Sequence, residues 1–169
     1  MIKKDTPIQT ALELGRACKK CGHCCSYGSG YVLEKELKRI AEFLKISEKE
    51  LKEKHLDEVY RFGNFVYKPK IKYKSDMPYG KCIFLKKNNE CSINEVKSLH
   101  CRIGNCNPVH GEQLSEWFMV NYLVDPYNAN SIREWALRVE TRPTIEGARP
   151  EDLVGAQKLK KIMNYEKMR

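Results

Sequence analysis

The chain has 169 residues, 31% of them charged, and a formal net charge of +9. A chain of that length suits one domain burying roughly 70% of its unfolded surface, so it needs no disulfide staple merely to fold. No stretch approaches the ~18 apolar residues of a membrane span, and Met1 is followed by Ile2-Lys3-Lys4-Asp5 rather than a signal peptide, so a cytoplasmic protein without a membrane role is expected.

After a lead-in of residues 1–17, the first informative segment is Cys18-Lys-Lys-Cys21-Gly22-His23-Cys24-Cys25, four cysteines within eight residues. Four more follow at Cys82, Cys91, Cys101 and Cys106, a total of 8. In a reducing compartment such cysteines read as metal ligands rather than disulfide partners, and soft thiolates select zinc, copper(I) or iron–sulfur clusters. Two tetra-thiolate zinc sites would each carry about −2, leaving an effective charge of about +5. Lys and Glu alternate along most of the chain, as in Glu34-Lys35-Glu36-Leu37-Lys38, which suits a solvated helix face better than a phosphate track. Nucleic-acid binding is therefore not favoured.

Ser26-Tyr27-Gly28-Ser29-Gly30 reads as a turn closing over the thiolates. Leu33, Leu37, Ile40, Ala41 and Leu44 predict a helix over 32–45. The Ser47-x-x-Glu50 capping signature opens a second helix, predicted to carry Leu51, His55 and Val59 inward. The chain turns at Gly63. Phe65 and Tyr67, then Ile71 and Tyr73 beyond Pro69, predict extended structure. Cys82-Ile83-Phe84-Leu85 and Cys91-Ser92-Ile93 flank Lys86–Glu90 as a small hairpin with a cysteine on each arm. Cys101 and Cys106 bracket Gly104 and Asn105 in an irregular stretch.

An apolar run from Trp117 to Val124 stops at Asp125-Pro126. Ser131 and Glu134 repeat the capping signature ahead of the stripe Ile132, Trp135, Ala136 and Val139. Pro150 opens a final helix. The expected fold is α+β and α-rich: a cysteine-lined metal region over 18–106, small β elements, and a helical extension over 107–169 packed on the same domain.

Cys18-x2-Cys21-Gly22 alone suits a zinc ribbon or an iron–sulfur site, since Gly22 can turn backbone N–H groups toward sulfur. Cys24 at the same interval brings three thiolates within seven residues, and with one remote cysteine this is the three-plus-one supply of a cubane cluster. The adjacent side chains of Cys24 and Cys25 tend to diverge. Cys18, Cys21 and Cys24 are thus expected to wrap one centre while Cys25 joins downstream cysteines at another. His23 is expected to point outward, His100 and His110 to lie near ligands without binding metal, and His55 to pack. Eight saturating thiolates leave no open metal position, and no His-Glu-x-x-His, Walker loop or nucleophile elbow occurs, so the reading leans away from an enzyme.

The same residues resemble the YkgJ-type cysteine-cluster family, described as a zinc- or iron-chelating domain. The resemblance rests on Cys-x2-Cys-x2-Cys-Cys at 18–25, on Cys82-Ile83-Phe84-Leu85, on Cys91-Ser92-Ile93-Asn94-Glu95 continuing to Cys101-Arg102, and on Cys106. Asn94, Lys97, Ser98 and Ile103-Gly104 depart from the family's tyrosine, arginine, proline and Phe-Pro. The resemblance implies metal binding through all eight cysteines. The spacing itself favours an iron–sulfur cluster, [4Fe-4S] in type, over zinc, as two adjacent sites or one polynuclear cluster, and that assignment gives electron transfer or redox-dependent maturation with a protein partner. The alternative is a zinc-binding structural or interaction module.

Overall fold

Short polar side chains set where several helices begin. The Ser47 hydroxyl accepts the Glu50 N–H at 3.1 Å, the Asn128 side chain accepts the N–H groups of Asn130 and Ser131, and Ser98 accepts that of Cys101. The computed structural model describes residues 1–166 and has the helix-rich α+β architecture that the sequence predicts. Its helices are α1 (Ile8–Gly15), α2 (His23–Tyr27), α3 (Leu37–Leu44), α4 (Glu48–His55), α5 (Leu99–Ile103), α6 (Gly111–Tyr122), α7 (Ala129–Thr141), α8 (Pro150–Val154) and α9 (Ala156–Met163). Strands β1 (Leu56–Arg61) and β2 (Asn64–Pro69) form one antiparallel pair, and β3 (Ile71–Tyr73) and β4 (Gly80–Cys82) form another. Among the described residues no helix is long and apolar enough to cross a membrane.

Two hydrophobic clusters organise these elements. One joins Ala11, Leu99, Ile103, Leu114, Phe118, Ile132, Trp135 and Ile162, bringing α1, α5, α6, α7 and α9 together. Its polar closure is Glu116, 2% exposed, which accepts from Arg138 and Thr144. The other joins Val32, Leu37, Ile40, Leu51, Leu56, Cys82, Phe84 and Ile93. Glu36 ties the clusters together, because its carboxylate accepts the Leu33 N–H at 2.9 Å and the Leu99 N–H at 2.7 Å. That bond holds the start of α5, and therefore Cys101, beside α3.

Several local expectations change: Ser26 and Tyr27, expected in a turn, end α2, and Cys101, expected in an irregular stretch, lies in α5. The second helix stops at His55, and Val59 lies in β1 opposite Val66. Phe62 and Gly63, at φ 48° and 75°, make the tight two-residue turn that closes this hairpin, and cross-strand pairing outweighs the helical reading. Phe62 tolerates its strained backbone because its ring is buried edge-on against Trp135, at 5.5 Å. The expected cysteine hairpin is reduced to a single bridge between Leu85 and Cys91, while Cys82 pairs with Ile71 in β3–β4. The cap of α7 is Asn128, and Ser131 instead accepts the Asp125 N–H. Gly155, at φ 79°, divides the C-terminal helix into α8 and α9.

Candidate metal centre

The first group of cysteines is assembled by the packing of α1 on α5. A Cβ on Gly15 would stand 2.6 Å from the Ile103 Cα, so only glycine permits this approach. The Asn105 amide then donates to the Leu14 carbonyl at 3.3 Å. These contacts hold the loop that begins at Cys18 next to the loop that carries Cys106. Gly22, at φ 73°, turns the chain into α2, where Cys24 and Cys25 sit side by side. Cys21, Cys24 and Cys106 are exposed and Cys18 is half-buried.

The second group grows out of the smaller hydrophobic cluster. Cys82 ends β4 and is buried, and the backbone N–H groups of Phe84 and Leu85 donate to its sulfur. Burial nevertheless pushes its thiol up to about 11. Cys25 and Cys91 pack against the same cluster, and α2 lies against β4. Cys101, on α5, has its thiol raised by burial, partly offset by hydrogen bonds from the Ser98 hydroxyl and the Gly30 N–H. Bonds of this kind lower the cost of a thiolate at a metal site.

The thiols lie close enough to shift one another's protonation. Cys106 is raised by what burial it has and then by the charges of Cys24, Cys21 and Cys18. Cys25 is raised by its hydrogen bond to Cys24, by burial, and by the charges of Cys24, Cys101 and Cys82. Cys82 in turn feels Cys101 and Cys91. Cys24 is lowered to about 6, chiefly by its hydrogen bond to Cys25.

The donor set suits a soft metal, and the N–H···S bonds and the glycine approach at Gly30 suit a ligated sulfur. A cavity of about 640 Å³ is lined by Cys18, Cys24, Cys25, Cys82, Cys91 and Cys101. Among the described residues, no three Cys, His, Asp or Glu side chains are drawn together tightly enough to hold a single ion.

His23 is exposed and rests on Tyr27 at 5.1 Å. His100 lies behind the thiolates, between Tyr31 and Phe118, and its Nδ1 accepts the Tyr31 N–H at 2.9 Å. Burial lowers it to about 4, so it is a neutral hydrogen-bond acceptor. His55 stacks on Phe84, next to Cys82 in the chain, and His110 opens α6. Sequence reasoning placed Gly30 in a turn closing over the thiolates without naming Cys101 as its partner, and gave no such role to Ser98, Glu36 or Asn105. The Ser98-x-x-Cys101 spacing carried a capping signal, but the partners of Gly30 and Glu36 lie too far along the chain to be read from spacing.

A family model described as "CxxCxxCC: Putative zinc- or iron-chelating domain" matches residues 17–121, a span that runs from the residue before Cys18 to the end of α6. No curated protein and no solved structure matches the chain.

Proposed function

The chain belongs to the CxxCxxCC family of metal-chelating domains, and from that premise we propose that it carries two iron–sulfur centres, each held by four thiolates. Cys18, Cys21, Cys24 and Cys106 would hold one; Cys25, Cys82, Cys91 and Cys101 would hold the other. The observation that supports this reading is that α1 packs on α5 and so holds the loop of Cys18 beside the loop of Cys106, whereas Cys25, Cys82 and Cys91 share the smaller hydrophobic cluster. The first set has the three-plus-one supply that suits a cubane, and both sets border space larger than one ion needs.

A bound cluster supplies one-electron chemistry. The chain's own part is to tune it: Gly30, Ser98, Phe84 and Leu85 direct hydrogen bonds at sulfur, and neutral His100 adds no charge behind them. We assign the protein to electron transfer or redox-dependent maturation of a protein partner in a reducing compartment. Zinc is the second reading, favoured by the Cys21-Gly22 knuckle and by the two N–H groups at Cys82. It makes the domain a structural or interaction module.

Anaerobic purification separates the two. Brown protein with broad visible absorption and acid-labile sulfide in step with iron supports the first reading. Colourless protein with two zinc ions and no sulfide establishes the second.

A further inference from the structure

The two sets of thiols differ in how the fold encloses them. Cys21, Cys24 and Cys106 are exposed, and the segments bearing Cys18, Cys21 and Cys106 lie in loops outside regular helices and strands. Lys19 and Lys20 between the first two are exposed, and Lys20 holds φ 53°. Few contacts therefore need to break for this set to open. The other set is built into the core: Cys82 is 8% exposed, Cys25 and Cys91 pack on Val32, Phe84 and Ile93, and Cys101 lies under Gly30. Freeing Cys25, Cys82 or Cys91 disturbs the smaller hydrophobic cluster, and freeing Cys101 displaces the Gly30 loop.

We propose that the two centres have different work: the Cys18–Cys21–Cys24–Cys106 centre is exchangeable and passes its metal to a thiol-bearing acceptor, while the Cys25–Cys82–Cys91–Cys101 centre is retained and holds the fold. This rests on the two-centre reading, and it holds for zinc as well as for a cluster. Transfer is ligand exchange without oxidation. Each bond from metal to a departing cysteine sulfur is replaced by one from an acceptor sulfur. The proton displaced from each acceptor thiol ends on the cysteine released. Exposed Lys19 and Lys20, next to the centre, favour the approach of a negatively charged thiolate. Cys24 is the inner limit of the exchangeable set, because its neighbour Cys25 is anchored.

The test uses the full chain as purified with its metal, challenged with excess tetracysteine peptide. Metal retained is followed in time, and free thiols are alkylated and located by mass spectrometry. The expected result is two phases of equal size separated by at least about tenfold in rate. The fast phase unmasks Cys18, Cys21, Cys24 and Cys106, while the other four stay protected. Cys106→Ser should remove the fast phase and leave the slow one, and Cys91→Ser should do the opposite. A single phase that unmasks all eight together, or early labelling of Cys82 and Cys101, overturns the proposal. The underlying reading fails separately: a purified chain in which all eight thiols label at once, without peptide, has no thiolate-bound metal to divide.

Discussion

Gly30 passes directly over Cys101: a Cβ placed on this glycine would stand 2.6 Å from the sulfur and 3.3 Å from the His100 Nδ1. The close approach is what lets the Gly30 N–H reach the thiol, and the next residue is fixed by its own bond to His100. Gly30→Ala is therefore expected to displace the loop over 28–31 and weaken the centre that contains Cys101. Overpacking of this kind costs about 1–3 kcal/mol, or roughly 2–12 °C in melting temperature for a chain of this size. Metal analysis should show loss from one centre only. Full metal content and an unchanged melting temperature in the variant would refute it.

Metal and fold should be coupled in the part of the molecule that bears the cysteines. Stripping the metal should release residues 18–31 and 82–106, because the free energy of metal binding then no longer holds these segments together. The packing of α6 on α7 around Leu114, Phe118, Ile132 and Trp135 contains no cysteine and should persist. Limited trypsin digestion reads this directly, since Lys19, Lys20, Lys86 and Lys87 lie in the segments concerned. Equal protection of both segments with and without metal would show that the metal is not structural.

Glu36 offers a test at a distance from sulfur. Its carboxylate is 8% exposed and accepts two backbone N–H groups, one of them the first of α5. Glu36→Ala leaves both donors without that partner, at a cost of about 1–3 kcal/mol. Because α5 carries Cys101, that variant should also lose metal from the core centre. Glu116→Ala, which breaks the buried pair with Arg138 in the other cluster, should lower stability and leave metal stoichiometry intact. Calorimetry together with metal analysis of the two variants makes the comparison.

What could be read from the sequence was whatever is local. The Cys-x2-Cys-x2-Cys-Cys run, the Ser47 cap, the turn at Gly63 and the stripe of Ile132, Trp135 and Ala136 all depend on residues within a few positions of each other. The expected divergence of Cys24 from Cys25 was also local, because it rests on their being neighbours on the chain. What stayed hidden depended on partners far apart in sequence. The strand at Leu56–Arg61 follows a helix-like pattern until β2 claims it, and Phe62 at the turn is placed by Trp135. The proposed assignment of the remote cysteines likewise depends on α1 meeting α5 and on α2 meeting β4.

Acid should weaken metal binding, and the sign follows from the metal-free thiols. Burial raises Cys82 to about 11 and raises Cys101 as well, so both are protonated at neutral pH and must lose a proton to bind. Cys24, lowered to about 6, is already mostly thiolate. Affinity should therefore rise with pH through the neutral range, by about tenfold per pH unit for each proton displaced. Zinc titrations in two buffers of different ionisation enthalpy count those protons. More should be displaced per ion by the core centre, isolated in Cys106→Ser, than by the exposed one, isolated in Cys91→Ser; equal counts would contradict the assignment.

The Cys24–Cys25 pair is where the two centres meet, and substitutions on either side of it should separate them. Cys21 is exposed and belongs with Cys18, Cys24 and Cys106, whereas Cys25 packs on the cluster containing Cys82. Cys21→Ser should lose about half the metal and keep the stability of the core. Cys25→Ser should also lose about half, but it removes a ligand that ties α2 to β4, so its melting temperature should fall further. The two losses should be complementary in visible or metal-specific spectra. Loss of all metal from both variants would mean that the eight thiolates hold one cooperative assembly rather than two centres. Normal metal content in Cys25→Ser would make Cys25 a bystander and leave the core set with three thiolates.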